Sequence, residues 1–257
     1  MSVRAVIAFV LLMLAAPARA APPNAQLALL GSHLYGQYCI ACHGANGTGI
    51  VRARSGGSGP LRDQSGKEAY GPSLRGVGAL SADFYLRTGY MPLPQVGIQP
   101  RRARVLFSGG EIDALVAYVA SLGGGPAIPK PQPARGNLSE GMRLFTEHCA
   151  GCHQVAAEGG YVTGGLPPPL GADGPVQIAQ AVRIGPWVMP RFSEESISRR
   201  QLDSIIAYVQ YAKHPDNPGG WSIGRIGPVP EGLATWFIGA AALVALCVAI
   251  GERLKRE

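Results

Sequence analysis

The pentapeptide Cys-x-x-Cys-His occurs twice in these 257 residues, at 39–43 and again at 149–153. Two thiols three positions apart can each bond one edge of a porphyrin, and the histidine beside the second thiol then lies beneath the ring, within reach of iron. The motif is the attachment signal for c-type haem, so much of the core around each copy is expected to be a flat cofactor and not packed side chains. A zinc knuckle or a thioredoxin-like redox pair also uses Cys-x-x-Cys, but leaves the histidine without a role, twice over. Four of the five cysteines lie in the motifs, and no pair remains for a structural disulfide. The fifth, Cys247, sits in an apolar run and reads as an inert residue facing lipid or a neighbouring helix.

The two ends of the chain place it at a membrane. Arg4 precedes an apolar stretch over 5–16, and Pro17-Ala18-Arg19-Ala20 supplies the small-x-small pattern of a signal-peptidase site, which predicts a secretory signal peptide over 1–20. That stretch is too short to cross a hydrocarbon core of about 30 Å. Residues 233–250 are eighteen in a row without a charge, with Trp236 near one end. Arg253, Lys255 and Arg256 follow at once, the basic flank of a cytoplasmic end. The expectation is a single-pass protein of the cell membrane, with its haem-bearing part on the extracytoplasmic side and its C-terminus in the cytoplasm.

Between the ends lies an internal repeat. Leu34-Tyr35, Gly71-Pro72-Ser73-Leu74, Tyr90-Met91-Pro92 and Glu111-Ile112-Asp113-Ala114-Leu115-Val116-Ala117-Tyr118 in the first copy answer to a second set. That set is Leu144-Phe145, Pro168-Pro169-Leu170-Gly171, Val188-Met189-Pro190 and Gln201-Leu202-Asp203-Ser204-Ile205-Ile206-Ala207-Tyr208. Two copies of one small domain are therefore expected, separated by the proline-rich stretch 126–133, which reads as a stiff polyproline-like linker.

Helix signals accompany the repeat. Asn137-Leu138-Ser139-Glu140, Ser108-Gly109-Gly110-Glu111 and Ser198-Arg199-Arg200-Gln201 have the capping-box pattern. Behind the last two, Ile112, Leu115, Val116 and Val119, and likewise Leu202, Ile205, Ile206 and Val209, recur at helical spacing. The segments between are dense in glycine and proline, which fits loops wrapped around a cofactor better than a sheet.

Each copy also carries one methionine downstream of its haem motif, Met91 and Met189, both followed by proline. A methionine is commonly core filler. The matched positions favour the other reading, a thioether sulfur as the sixth iron ligand, which raises the potential of an electron-transfer haem. The candidate cofactor-binding residues are thus Cys39, Cys42, His43 and Met91 for one covalently attached haem c, and Cys149, Cys152, His153 and Met189 for a second. The iron ligands among them are His43, Met91, His153 and Met189. His33, His148 and His214 read as surface histidines.

Charge is divided unequally. Residues 31–126 hold nine Lys or Arg against five Asp or Glu, a balance of +4, whereas 127–222 hold eight of each. Nucleic acid is an implausible partner for an exported chain without a basic and aromatic pattern, so the surplus suits acidic protein patches or haem propionates.

The run Gly71-Pro72-Ser73-Leu74-Arg75-Gly76-Val77-Gly78, the sequence Arg87-Thr88-Gly89-Tyr90-Met91-Pro92, the turn Asn217-Pro218-Gly219-Gly220 and Ile226-Gly227-Pro228-Val229-Pro230-Glu231-Gly232 ahead of the terminal anchor carry a resemblance. Together they resemble the dihaem cytochrome cc subunit of the cytochrome bcc complex, the menaquinol:cytochrome c reductase of actinobacteria. The likeness covers nearly the whole mature chain. It implies an all-α fold of two tandem class I cytochrome c domains, 21–126 and 127–222, a linker over 223–232, the transmembrane helix 233–250 and a tail over 251–257. It also implies partners: a cytochrome b subunit, a Rieske iron-sulfur protein that donates electrons, and an aa-type terminal oxidase that receives them. The chain itself would be a carrier within an oxidoreductase, without a catalytic residue or quinol site of its own. One departure is the insertion-like stretch 52–70, which puts docking beside the first haem in question. Two other classes compete, a tethered carrier for a different dehydrogenase and a dihaem peroxidase. The peroxidase needs an open iron site, against which both Met-Pro positions speak.

Overall fold

The computed structural model describes residues 23–51, 69–93, 101–215 and 228–255. The signal-peptide reading, nearly all of the 52–70 insertion and the turn at 217–220 lie outside them. The first half runs through α1 (Pro23–Tyr38), α2 (Ile40–His43), β1 (Ile50–Val51), β2 (Ala69–Gly71), α3 (Gly78–Arg87) and α4 (Gly109–Ser121). The second half runs through α5 (Leu138–His148), α6 (Ala150–His153), α7 (Pro175–Ile184) and α8 (Arg199–Lys213), and α9 (Pro228–Leu254) closes the chain. The architecture is mostly helical. The described residues add to the all-α expectation the antiparallel pair β1 and β2, in which Ile50 faces Gly71 and Val51 faces Ala69, and an isolated bridge between Val162 and Gly165.

The repeat becomes a pair of matched helix crossings. In the first half α1 lies across α4, so closely that a Cβ on Gly31 would sit 1.9 Å from the Ala114 carbonyl oxygen. In the second α5 lies across α8, and a Cβ on Gly141 would sit 1.9 Å from the Ser204 carbonyl oxygen. One helical turn further on, each crossing is sealed by an aromatic pair: Tyr35 and Tyr118 at 5.1 Å, Phe145 and Tyr208 at 5.3 Å between ring centroids. Offset and tilted rings at such spacing are favourable beyond the area they bury. The tyrosines also tie down the chain that follows each haem motif. Tyr35 donates a 2.7 Å hydrogen bond to the Gly44 carbonyl, and Tyr208 a 2.8 Å bond to the Val155 carbonyl.

The caps follow the sequence with one exception. Ser108 and Glu111 form a reciprocal box at α4, as do Ser198 and Gln201 ahead of α8. At α5, Asn137 accepts from the Glu140 amide at 2.9 Å, but the Glu140 carboxylate turns to the buried Ser204 hydroxyl instead of closing the box. The tighter partner is a helix the local pattern cannot see. The apolar positions expected on α4 and α8 are buried: Ile112, Leu115, Val116 and Val119 on one, Leu202, Ile205, Ile206 and Val209 on the other.

The proline-rich linker is laid onto both halves. The Pro126 carbonyl accepts from the Leu80 amide of α3 at 3.0 Å, Ile128 packs on the first core, and the Gln132 amide donates to Asp203 of α8 at 2.7 Å. The halves also meet directly, α3 against α7. In the last helix, 23 residues from Gly232 to Leu254 are long and apolar enough to cross a membrane. At 1.5 Å per residue they extend about 35 Å, more than the roughly 30 Å needed. This helix starts at Pro228, inside the stretch read as a linker, because prolines are tolerated in a first turn whose amides have no helical partner.

Candidate functional site

Both Cys-x-x-Cys-His motifs are folded alike. α1 ends at Tyr38 and the short α2 resumes after Cys39, whose amide donates to the Tyr35 carbonyl at 2.9 Å while its carbonyl accepts from His43 at 2.9 Å. In the second copy the Cys149 amide donates to Phe145 at 2.8 Å, and the Cys149 carbonyl accepts from His153 at 2.9 Å. A single turn of helix thereby presents two thiols and an imidazole to one side. All six side chains line one continuous cavity of about 730 Å³, and Met91 and Met189 line it too. The eight candidate residues read from the sequence therefore converge, although residue 43 and residue 153 are 110 positions apart.

The imidazoles are oriented by backbone. His43 Nδ1 lies 2.8 Å from the Pro72 carbonyl oxygen, and His153 Nδ1 lies 3.1 Å from that of Pro168. A carbonyl can only accept, so Nδ1 carries the hydrogen and the lone pair stays on Nε2. Burial pushes both rings below the ordinary histidine value, only partly offset by these hydrogen bonds and, at His153, by the nearby Asp173 carboxylate. Neutral, pinned rings with a free Nε2 are what an iron ligand requires. The repeated Pro72 and Pro168 runs thus acquire a role that the sequence left open.

The thiols argue the same way. Burial, and then the neighbouring cysteine of each motif, push Cys39 and Cys149 up to about 11. A redox-active Cys-x-x-Cys needs a depressed thiol, so the thioredoxin-like reading finds no support here. Among the described residues no three His, Cys, Asp or Glu side chains are grouped as a metal site. Paired thiols, a pinned imidazole and a methionine on an apolar-walled cavity fit haem c.

Met91 and Met189 are half-buried, each at the end of the loop behind α3 or α7. Their amides are fixed at 3.0 Å to the Tyr85 and Pro186 carbonyls. Met142, by contrast, is 51% exposed. His33 and His214 are exposed as expected. His148 is exposed too, with its ring edge-on to Phe192 at 5.9 Å beside the cavity. No motif or spacing pointed to Arg102 and Asp173. Arg102, from the first half, pairs with the buried Asp173 of the second, and both line the cavity. Lys213 donates to the Asp173 carbonyl at 2.5 Å.

Residues 28–123 match the family model described as cytochrome c, and residues 136–209 match that described as cytochrome c oxidase, cbb3-type, subunit III. Among curated relatives, the cytochrome bc1 complex cytochrome c subunit of Mycobacterium tuberculosis is 37% identical over 232 residues, covering 87% of this chain and 77% of its own length. The subunits of Mycobacterium leprae and Corynebacterium diphtheriae are 35% and 34% identical, each over 87% of this chain and 74% and 80% of their own. The chain belongs to the family of bc1 complex cytochrome c subunits. Its two cytochrome c domains coincide with the two helix crossings described above, and the family's haem c is the cofactor that the cavity fits. The terminal helix of this family member is long and apolar enough to anchor it in a membrane.

Proposed function

We propose that the chain is the membrane-anchored, dihaem electron carrier of a quinol:cytochrome c reductase of the bc1 type. It takes electrons from a Rieske iron-sulfur protein beside a cytochrome b subunit and passes them to an aa-type terminal oxidase. The observation that carries this reading is the shared cavity, which the thiols, imidazole and methionine of both sets line. Haem c bound at each set supplies a one-electron couple. Cys39 and Cys42, and Cys149 and Cys152, provide the thioether attachments. His43 and His153 would hold the iron through Nε2, kept neutral by burial and aimed by the Pro72 and Pro168 carbonyls. Met91 and Met189 would hold the iron through their sulfurs, on loops anchored by their own amides.

Apolar side chains, among them Tyr35, Phe107, Leu115, Phe145, Ile178 and Ile205, line most of the cavity, so little solvent would have to reorganise when the charge at either site changes by one. α9 keeps both halves beside their membrane partners, and the basic residues after it put the C-terminus on the cytoplasmic side. The test is purification through a tag on this chain from native membranes solubilised in a mild detergent. A b-type cytochrome and a Rieske protein should co-purify, with two haem c per chain. Recovery of the chain with a different dehydrogenase, and without either of those subunits, would reject the assignment.

A further inference from the structure

We propose that Asp83 and Gln180 are a positioning pair that fixes the distance between the two haem sites and thereby sets the rate of electron transfer between them; this rests on the dihaem reading above. Asp83 lies on α3 and Gln180 on α7, the helices through which the halves touch. Both are buried, at 4% and 0% exposure. Gln180 Nε2 donates to Asp83 Oδ2 at 2.8 Å and lies 3.4 Å from the Leu80 carbonyl of the same helix. Asp83 Oδ1 accepts from Arg87 Nε at 2.6 Å, and Arg87 pairs in turn with Asp113 on α4. One residue of the second half is thus hydrogen-bonded to a charged network that reaches across the first.

The pair breaks the repeat. Aligning Arg87 with Arg183 sets Asp83 against Ala179 and Gln180 against Phe84, both buried. The two polar residues occupy positions that are apolar in the other copy, on the two helices through which the copies meet. A buried carboxylate and amide across an interface stabilise less than a well-packed apolar pair would. What they add is direction. A carboxylate can only accept, so the amide nitrogen must face it, and the contact is satisfied at one register of α3 against α7.

That register matters because the same two helices wall the cavity. Ala82, Tyr85 and Leu86 of α3 line it beside the first donor set, and Ile178, Ala181 and Val182 of α7 line it beside the second. Each helix leads into the loop that ends at Met91 or Met189. A shift of α3 along α7 would therefore carry one site past the other, and electron tunnelling falls off exponentially with separation.

The test uses the full-length holoprotein in detergent, with bound haem counted chemically and the inter-haem rate measured after rapid injection of a single electron. Gln180→Leu removes the donor at similar volume, and Gln180→Glu sets a second carboxylate against Asp83. Both should slow transfer severalfold, because tunnelling falls off exponentially as the two sites move apart. Both haem spectra and both potentials should stay unchanged. The double variant Asp83→Asn with Gln180→Glu restores a hydrogen bond of reversed direction and should recover most of the rate, which a merely structural loss would not. Should Gln180→Glu fail to fold, Gln180→Leu decides. Two haems per chain with an unchanged rate in Gln180→Leu would overturn the proposal alone. A wild-type chain holding fewer than two haems would overturn the dihaem reading, and the proposal with it.

Discussion

His43 Nδ1 stands 2.8 Å from the carbonyl oxygen of Pro72, and that distance fixes which nitrogen of the ring is left for a metal. The contact between His153 and Pro168 at 3.1 Å repeats it. Because the acceptors are backbone, orientation of the imidazoles depends on the path of the loops and not on any side chain. The loops are in turn held where glycine allows it: a Cβ on Gly71 would lie 2.3 Å from the Cys42 carbonyl oxygen. Close chain approach and ligand aim are one feature.

Acid should release the proximal ligands. Burial lowers the proton affinity of both rings, so the neutral form is favoured at neutral pH, and the stabilisation is present above the ordinary histidine value of 6.5 and lost as pH falls below it towards the lowered values. Protons then compete with iron for Nε2. Acid titration of the oxidised protein, followed in the Soret region, should show conversion to high-spin haem only below that value. Conversion centred above it would contradict the assigned state of the rings.

Methionine ligation gives a separate signature. With His43 and Met91 on one iron and His153 and Met189 on the other, both haems should be low-spin and contribute to the weak near-infrared sulfur-to-iron band. Met91→Ala and Met189→Ala should each remove one contribution, and the double variant the whole band. Full intensity in both single variants would mean that neither sulfur is a ligand.

The helix crossings should be intolerant of a single methyl group. Gly31→Ala and Gly141→Ala each place a Cβ 1.9 Å from a backbone oxygen, which no rotamer change can relieve. Each should destabilise its half by about 1–3 kcal/mol or more, the usual result of overpacking. Gly36 and Gly151, where an added methyl would meet nothing within 4 Å, are the controls and should change little when replaced by alanine. Denaturant unfolding of the four variants measures the difference.

Local patterns in the sequence carried much of this. Ser108 with Glu111 and Ser198 with Gln201 cap their helices because a capping box needs only four consecutive residues. The haem motifs, too, are short enough that one helical turn contains all their chemistry. Contacts between the halves were not legible. Asp83 and Gln180 are 97 positions apart, and Arg102 and Asp173 are 71 apart. Their meeting depends on how two finished domains dock, which no periodicity encodes. The trace that could have been followed is the repeat itself: Asp83 is a charge at a position where the second copy has Ala179, and such mismatches mark surfaces that the copies do not share. The Glu140 side chain is a smaller case, in which a buried serine on another helix outcompetes the local cap.

Membrane attachment is separable from haem binding. Truncation before Gly232 removes nearly all of α9 and nothing of either crossing, so the product should be soluble and still carry both haems. In the full chain, a reporter fused after Glu257 should be active only if it works in the cytoplasm. Activity there of a reporter that needs export would reverse the proposed orientation.

Serial transfer makes the two halves unequal. On the proposed function, the haem held at Cys39, Cys42 and His43 would receive electrons and that at Cys149, Cys152 and His153 would deliver them to the oxidase. A thioether sixth ligand raises the potential, so Met189→His should lower the potential of the second haem while leaving the first untouched. In native membranes quinol should then still reduce the first haem rapidly, and delivery to the oxidase should slow. Met91→His should act upstream, impeding reduction of both haems by quinol. Stopped-flow spectra and oxygen uptake of the two variants separate these cases. If Met189→His lowered the potential and left oxygen uptake unchanged, the second haem would lie off the path of the electrons, and the chain would have to be read as a carrier whose first haem alone serves the partner.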